Sequence, residues 1–130
     1  MDARDYPHVD LSATVIGAFY ETYNALGFGF LESVYENAFA IQLEHCGLNI
    51  ERQRPIDVSY RGRVVGEFRA DLVVEKRLLV EIKAATTLLP AHDAQLINYL
   101  KGTGLQLGLL LNFGPRPQVR RRIFGLIPTP

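Results

Sequence analysis

The sequence predicts an α+β fold, and three observations carry the prediction. Two segments with helical apolar spacing open the chain. Three apolar segments of strand character follow, separated by turn residues. A further helical segment then precedes a last apolar strand, giving the order ααβββαβ. The first helix is expected to start at Asp10 or Ser12 as its cap and to run to about Leu26, where Gly27 can take the left-handed terminal conformation. After "GFG", a second helix is expected from about Phe30 to Cys46. It places Leu31, Val34, Tyr35, Ala38, Phe39, Ile41 and Leu43 mostly on one broad face, ends at Gly47, and carries Glu32 in its first turn. Strands are expected at about Ile50 to Tyr60, Val64 to Val74 and Leu78 to Ala84 as a meander, with "RGR" at 61–63 as the first turn. A third helix spans about Ala91 to Lys101 and stops at "GTG". "LQLGLLLNF" reads as a largely buried strand, and a proline-rich basic segment begins at about residue 114.

The stretch "FRADLVVEKRLLVEIKA" holds three charges, Asp71, Glu81 and Lys83, inside two otherwise apolar strands. A two-residue turn at Glu75-Lys76 would put Glu81 and Lys83 on the same face as Phe68, Ala70, Leu72 and Val74, burying two charges. A three-residue loop, Glu75-Lys76-Arg77, instead joins that row to Leu78, Val80, Ile82 and Ala84 in one apolar face. Arg69, Asp71, Glu81 and Lys83 are left on the other. In this register Asp71 lies across from Glu81 with Cβ atoms roughly 5 Å apart. Two carboxylates so placed repel each other, and a divalent cation between them removes the repulsion, since Mg²⁺ favours one or two carboxylates plus water and phosphate oxygens. An ordinary solvated face, with the two acids paired to Arg69 and Lys83, is the competing reading.

With 130 residues and 48% hydrophobic content, the chain fits one compact domain, residues 1–130. The 14 basic and 14 acidic side chains cancel, so any nucleic-acid contact must use a local patch. The densest basic run is "PRPQVRRR", which can bind phosphates or form a solvated edge. A single cysteine, Cys46, excludes an internal disulfide, and with three scattered histidines it offers no zinc spacing. The N-terminal "MDARDYPHVD" lacks a signal pattern, and no apolar stretch approaches the ~18 residues of a membrane span. A cytoplasmic protein without membrane contact is expected.

These residues resemble the PD-(D/E)XK nuclease superfamily, whose restriction-endonuclease-like core is a helix, a three-strand meander, a helix and a further strand in a central mixed sheet flanked by helices. The superfamily's Asp and its Glu-x-Lys correspond to Asp71 and to Glu81-Ile82-Lys83. "QLINY", with Gln95 and Tyr99, looks like the Gln-x-x-x-Tyr helix motif of the RecB-like branch, and Glu32 fits the first-helix glutamate of many members. "GFLESVY", Gly29 to Tyr35, is similar to the motif that names the GxxExxY family, and the likeness runs from about Ile16 to Phe113. Two positions depart from the pattern: Ala70 stands where the superfamily's name expects proline, and Tyr23 where relatives of this type usually have histidine.

The resemblance implies hydrolysis of a phosphodiester in DNA, with RNA the lesser candidate. Asp71, Glu81 and Glu32 would hold Mg²⁺, for which Mn²⁺ could substitute. Lys83 would orient a water and stabilise developing charge, and Gln95, Tyr99 and Tyr35 would support the site or the substrate. Two other readings are a non-catalytic nucleic-acid- or protein-binding module on the same fold and an obligate homodimer, the latter suggested by the apolar content and an exposed strand edge.

Overall fold

The computed structural model describes residues 7–125. Residues 1–6 and 126–130 lie outside it, and with them part of the N-terminal reading and the end of the basic tail. Eight elements follow in order: α1 (Val9–Leu26), α2 (Glu32–His45), β1 (Ile50–Tyr60), β2 (Arg63–Val74), β3 (Leu78–Lys83), α3 (Pro90–Thr103), β4 (Leu107–Phe113) and β5 (Pro117–Ile123). The strands form one sheet in the order β1-β2-β3-β4-β5. β1, β2 and β3 are an antiparallel meander, β4 runs parallel to β3 after the α3 crossover, and β5 turns back antiparallel on β4. The sheet is therefore mixed, and the ααβββαβ order stands with one strand added.

Apolar packing divides the molecule into two layers around that sheet. On one side Val15 and Phe19 of α1 and Tyr35, Phe39 and Leu43 of α2 pack on Leu72, Val74, Leu78, Val80, Ile82 and the odd-numbered residues of β4. On the other side Leu96, Tyr99 and Leu100 of α3 pack on Ile56, Ala70, Val73, Leu79 and Leu110. β4 is buried along its whole length, as a strand covered by helices on both faces must be.

The expected loop holds: Val74 pairs with Leu78 across Glu75-Lys76-Arg77, and Leu72 pairs with Val80. The expected single apolar face does not. Leu72 and Val74 belong to the α1/α2 side, whereas Phe68 and Ala70, of the same parity, pack on the α3 side. The row changes sides at Asp71, for two reasons. The β2–β3 ladder stops at Leu72–Val80. On the other flank Arg52 pairs with Leu72 and Arg54 with Ala70, but Gln53, between them, is left-handed at φ 51° and unpaired. Strands β2 and β3 fork there, and the outer part of the β1–β2 hairpin swings over the end of α3, where Ile56 approaches Gly102 too closely to admit a Cβ.

Other expectations shift by smaller amounts. α1 begins at Val9 with His8 as its cap, and the buried Ser12 lies inside the helix with its hydroxyl donating to the Val9 carbonyl. α2 begins at Glu32 and buries Tyr35, Phe39, Ala40 and Leu43, leaving Leu31, Val34 and Ile41 exposed. Its apolar residues therefore span more of the circumference than the helix can bury. The first hairpin turn is the two residues Arg61-Gly62, with Arg63 already paired to Tyr60. The basic segment is not a tail through its described part but strand β5. Val119 and Ile123 pack toward α1 and α2, while Arg120 and Arg122 reach the other side to pair with Asp93 in the first turn of α3, each at 2.7 Å.

Candidate active site

The fork between β2 and β3 creates the site. Where the next ladder pair would form, side chains replace backbone: the Ile82 amide donates to Asp71 Oδ2 at 2.8 Å, and the Asp71 amide donates to Glu81 Oε1 at 3.4 Å. Each acid thus satisfies the opposite strand's unpaired N–H, a requirement for buried backbone, and both carboxyl groups are drawn into the gap. Glu81 is only 3% exposed, and Asp71 is half-buried.

Burial, together with a carboxyl–carboxyl hydrogen bond and the charge of Asp71, pushes Glu81 up to about 10, against a weaker pull from Lys83. At neutral pH Glu81 therefore keeps its proton, as one of two close carboxyls does. Among the described residues neither acid forms an ion pair with Arg69 or Lys83. The solvated, salt-bridged face is thus absent.

Lys83 follows Glu81 on the same side of β3. Its Nζ donates to Gln95 Oε1 at 3.1 Å, and Gln95 Nε2 donates to the Tyr99 hydroxyl at 3.1 Å. The four-residue spacing of Gln95 and Tyr99 puts both on the face of α3 that meets the sheet. Tyr99 is buried, and burial followed by the Glu81 charge raises its phenol above the usual value.

Glu32 approaches from the other layer, at the first turn of α2. No hydrogen bond links it to Asp71 or Glu81. Partial desolvation raises its carboxyl above the usual range; Lys83 is the strongest opposing influence, Asp71 and Glu36 push the same way as desolvation, and the Ala84 amide opposes it. The Ala84 bond places Glu32 at the end of β3.

Tyr35 lies apart from the reacting groups. It is fully buried, its ring stacks on Phe113 with centroids 4.6 Å apart, and its hydroxyl donates to the Gly27 carbonyl and accepts the Phe30 amide at 3.2 Å. A substrate contact is excluded by that burial; its support is to the loop that leads to Glu32. Tyr23 is likewise engaged, donating to the carbonyls of Gly114 and Pro115 at the β4–β5 turn.

Four residues join the site that the sequence did not single out. Gln53 bridges Glu36 Oε1 at 2.9 Å and Asp71 Oδ1 at 3.5 Å, and Arg52 pairs with Glu36 at 2.8 Å. Glu36 is four residues after Glu32, one turn along the same helix face, and that spacing was the available signal. Asn112, buried and opposite Lys83 in the β3–β4 ladder, accepts the Ala85 amide and donates to the Ala85 carbonyl, latching the loop that follows β3.

Among the described residues no three His, Cys, Asp or Glu side chains converge into a ready-made metal cage. Two facing carboxyls nevertheless fit a divalent cation of the kind that needs one or two protein carboxylates and keeps water on its other positions. The arrangement can exchange the Glu81 proton for a cation and hold a lysine ammonium alongside.

Comparison with known proteins agrees with this fold. The solved structure "Crystal structure of SSO0001" superposes with a TM-score of 0.60 at 21% identity, covering 91% of this chain and 59% of that one, so the fold is shared and this chain spans less than two thirds of its length. A comparison with curated proteins gives no match. A family model described as PD-(D/E)XK nuclease superfamily matches residues 9–123, from the start of α1 to the end of β5, and the chain belongs to that superfamily.

Proposed function

We propose that the protein is a Mg²⁺-dependent nuclease of the GxxExxY type that hydrolyses phosphodiester bonds of DNA, or less readily RNA, and that Mn²⁺ can replace Mg²⁺. The observation that carries this reading is the Asp71–Glu81 pair, each acid bonded to the other strand's backbone across the fork, with Lys83 held beside it by Gln95. Asp71 and Glu81 would hold the metal, and Glu32 would complete its surroundings from α2. When bound, the ion would supply Lewis acidity at a phosphate oxygen and acidify a water.

The chain's own residues do the rest. The fork fixes both carboxyls through backbone hydrogen bonds, so neither must reorganise to meet a cation. Lys83, fastened by Gln95, presents an ammonium to a non-bridging phosphate oxygen and to the attacking water, where positive charge counts for more because the Glu81 side of the site is shielded from solvent. Glu32 at the exposed rim can accept a proton from that water. The superfamily's members act on nucleic acid, and the described residues contain no helix long and apolar enough to cross a membrane. We place the activity in the cytoplasm, within a single domain spanning the chain.

The test is incubation of the purified chain with single- and double-stranded DNA and RNA in Mg²⁺, Mn²⁺ or chelator. Cleavage in metal that is lost in chelator and in Lys83→Ala supports the reading. Binding without cleavage under every metal condition would leave a non-catalytic binding module.

A further inference from the structure

The loop that carries the chain into Glu32 exposes large apolar side chains: Phe28 at 63%, Phe30 at 50% and Leu31 at 78%. This exposure is not the by-product of a loose segment. Tyr35, buried and stacked on Phe113, holds the Gly27 carbonyl and the Phe30 amide. Gly29 at φ 124° gives the chain a turn that a side chain would resist. The Phe30 ring is set edge-on to the Tyr35 ring, with centroids 6.0 Å apart at 76°, so its orientation is fixed while half its surface stays open. The oriented Phe30 ring and the open Phe28 ring cost the free protein apolar exposure and contribute little to its core.

Their location suggests the occupant. Phe30 is two residues before Glu32, whose carboxylate accepts the backbone amide of Ala84, the residue after Lys83, so the loop enters beside the charged centre proposed to act on a phosphate. A strand whose phosphate lies at that centre carries its neighbouring base within reach of the loop. Flat aromatic faces bind unpaired bases whatever their identity, whereas a base inside a duplex has its faces already covered. The exposed aliphatic residues Val34 and Ile41 lie farther along α2 and offer no ring. We infer that Phe28 and Phe30 form a stacking platform for unpaired nucleobases beside the scissile phosphate, so that single-stranded or frayed nucleic acid is the preferred substrate. The inference rests on the nuclease reading, and its test separates the two.

Binding is measured by fluorescence anisotropy in chelator for wild type, Phe28→Ala, Phe30→Ala and the double variant. The probes are a labelled single strand, the same strand with abasic nucleotides, and a blunt duplex. Wild type should bind the ordinary strand more tightly than the duplex. The double variant should lose about five- to a hundredfold on the ordinary strand, the range of base–aromatic stacking, and bind the abasic strand as wild type does. Equal losses on ordinary and abasic strands, no loss on either, or no binding by wild type would each overturn the platform. So would light scattering in which the double substitution converts a dimer to a monomer without changing nucleic-acid affinity, since the rings would then be a protein contact. Cleavage by wild type in Mg²⁺ is scored separately. Cleavage with unchanged variant affinity sinks the platform alone, and base-dependent binding with no cleavage of any substrate sinks the nuclease alone.

Discussion

Two acidic clusters lie against α3, and they differ in how their charge is met. Asp93, in the helix's first turn, is held between Arg120 and Arg122 of β5, each at 2.7 Å. Asp71 and Glu81, beside Tyr99 farther along the same helix, have no guanidinium or ammonium in ion-pair contact among the described residues, and burial pushes Glu81 up so that it keeps its proton. Asp93 is a completed interaction that fastens an edge strand to a helix. The fork pair is incomplete in the same sense that the other is complete: burial and mutual repulsion are balanced by a proton and two backbone amides. An acid that already has its cations gains little from another, while a pair that lacks them has more to gain from the metal we propose.

The largest expected effect breaks that comparison at its centre. Asp71→Ala or Lys83→Ala should lower cleavage by about a thousandfold or more, the scale on which removal of a preorganised charged group acts. Asp93→Ala should leave the rate per folded molecule near wild type while costing about 2 kcal/mol of stability, the scale of lost charge-assisted hydrogen bonds. Cleavage kinetics and denaturant melts on the three variants measure both quantities. Lys83→Ala should keep most of the metal affinity; a loss equal to that of Asp71→Ala would make Lys83's role structural to the metal site.

The next effect concerns stability. Asp71→Asn removes one of two facing carboxyls yet retains an oxygen to accept the Ile82 amide, so the chelated protein should melt higher than wild type. Wild type should gain about 2.7 kcal/mol from Mg²⁺ at a hundredfold excess over its dissociation constant, and the variant much less. Four melting curves at fixed ionic strength decide it: a lower melting point for Asp71→Asn in chelator, with no Mg²⁺ response in either chain, would return the pair to an ordinary surface role. Asp93→Asn is the control, since it should melt lower than wild type with or without metal.

The pH dependence follows from the same pair. Glu81 is raised in the folded state, so the folded chain binds its proton more tightly than the unfolded chain. That contribution is fully present below the ordinary glutamate value of about 4.3 and is lost as pH rises toward about 10. In chelator the unfolding free energy should therefore fall through this window, and Glu81→Gln, which carries no titrating proton, should flatten the fall. Because the cation must displace that proton, the Mg²⁺-induced gain in wild type should increase over the same window. A wild-type profile identical to that of Glu81→Gln would remove the Glu81 proton from the account.

The site's register was legible in the sequence because a single fact decides it: only the three-residue loop at Glu75-Lys76-Arg77 keeps Glu81 and Lys83 off the row of Leu72 and Val74. The crossing of that row at Asp71 was not legible, because its cause lies on the adjacent strand, where Gln53 turns left-handed and leaves the ladder. β5 was hidden for a related reason. Its arginines break the apolar alternation that Val119 and Ile123 begin, and the partner that makes Arg120 and Arg122 tolerable in a strand, Asp93, is 27 residues from Arg120. Local patterning recorded which residues avoid each other; it did not record which distant residues receive them.

The smallest effects should sharpen the comparison along α3 itself. Gln95 holds Lys83 directly, so Gln95→Leu should cost about tenfold in kcat by freeing the ammonium, with little change in metal affinity. Tyr99 is one step removed, accepting from Gln95 Nε2 through its hydroxyl. Tyr99→Phe keeps the buried ring and deletes that acceptor, so Gln95 can still face Lys83 but loses the bond that fixes its amide orientation. A loss of about two- to threefold is expected, smaller than that of Gln95→Leu, and the double variant should be no worse than Gln95→Leu alone because both act through one chain of contacts. Rates measured at saturating Mg²⁺ for the two single variants and the double variant test this. If Tyr99→Phe costs as much as Gln95→Leu, or if the two losses multiply, the Tyr99 hydroxyl reaches the reacting groups by a route of its own rather than through Gln95 and Lys83.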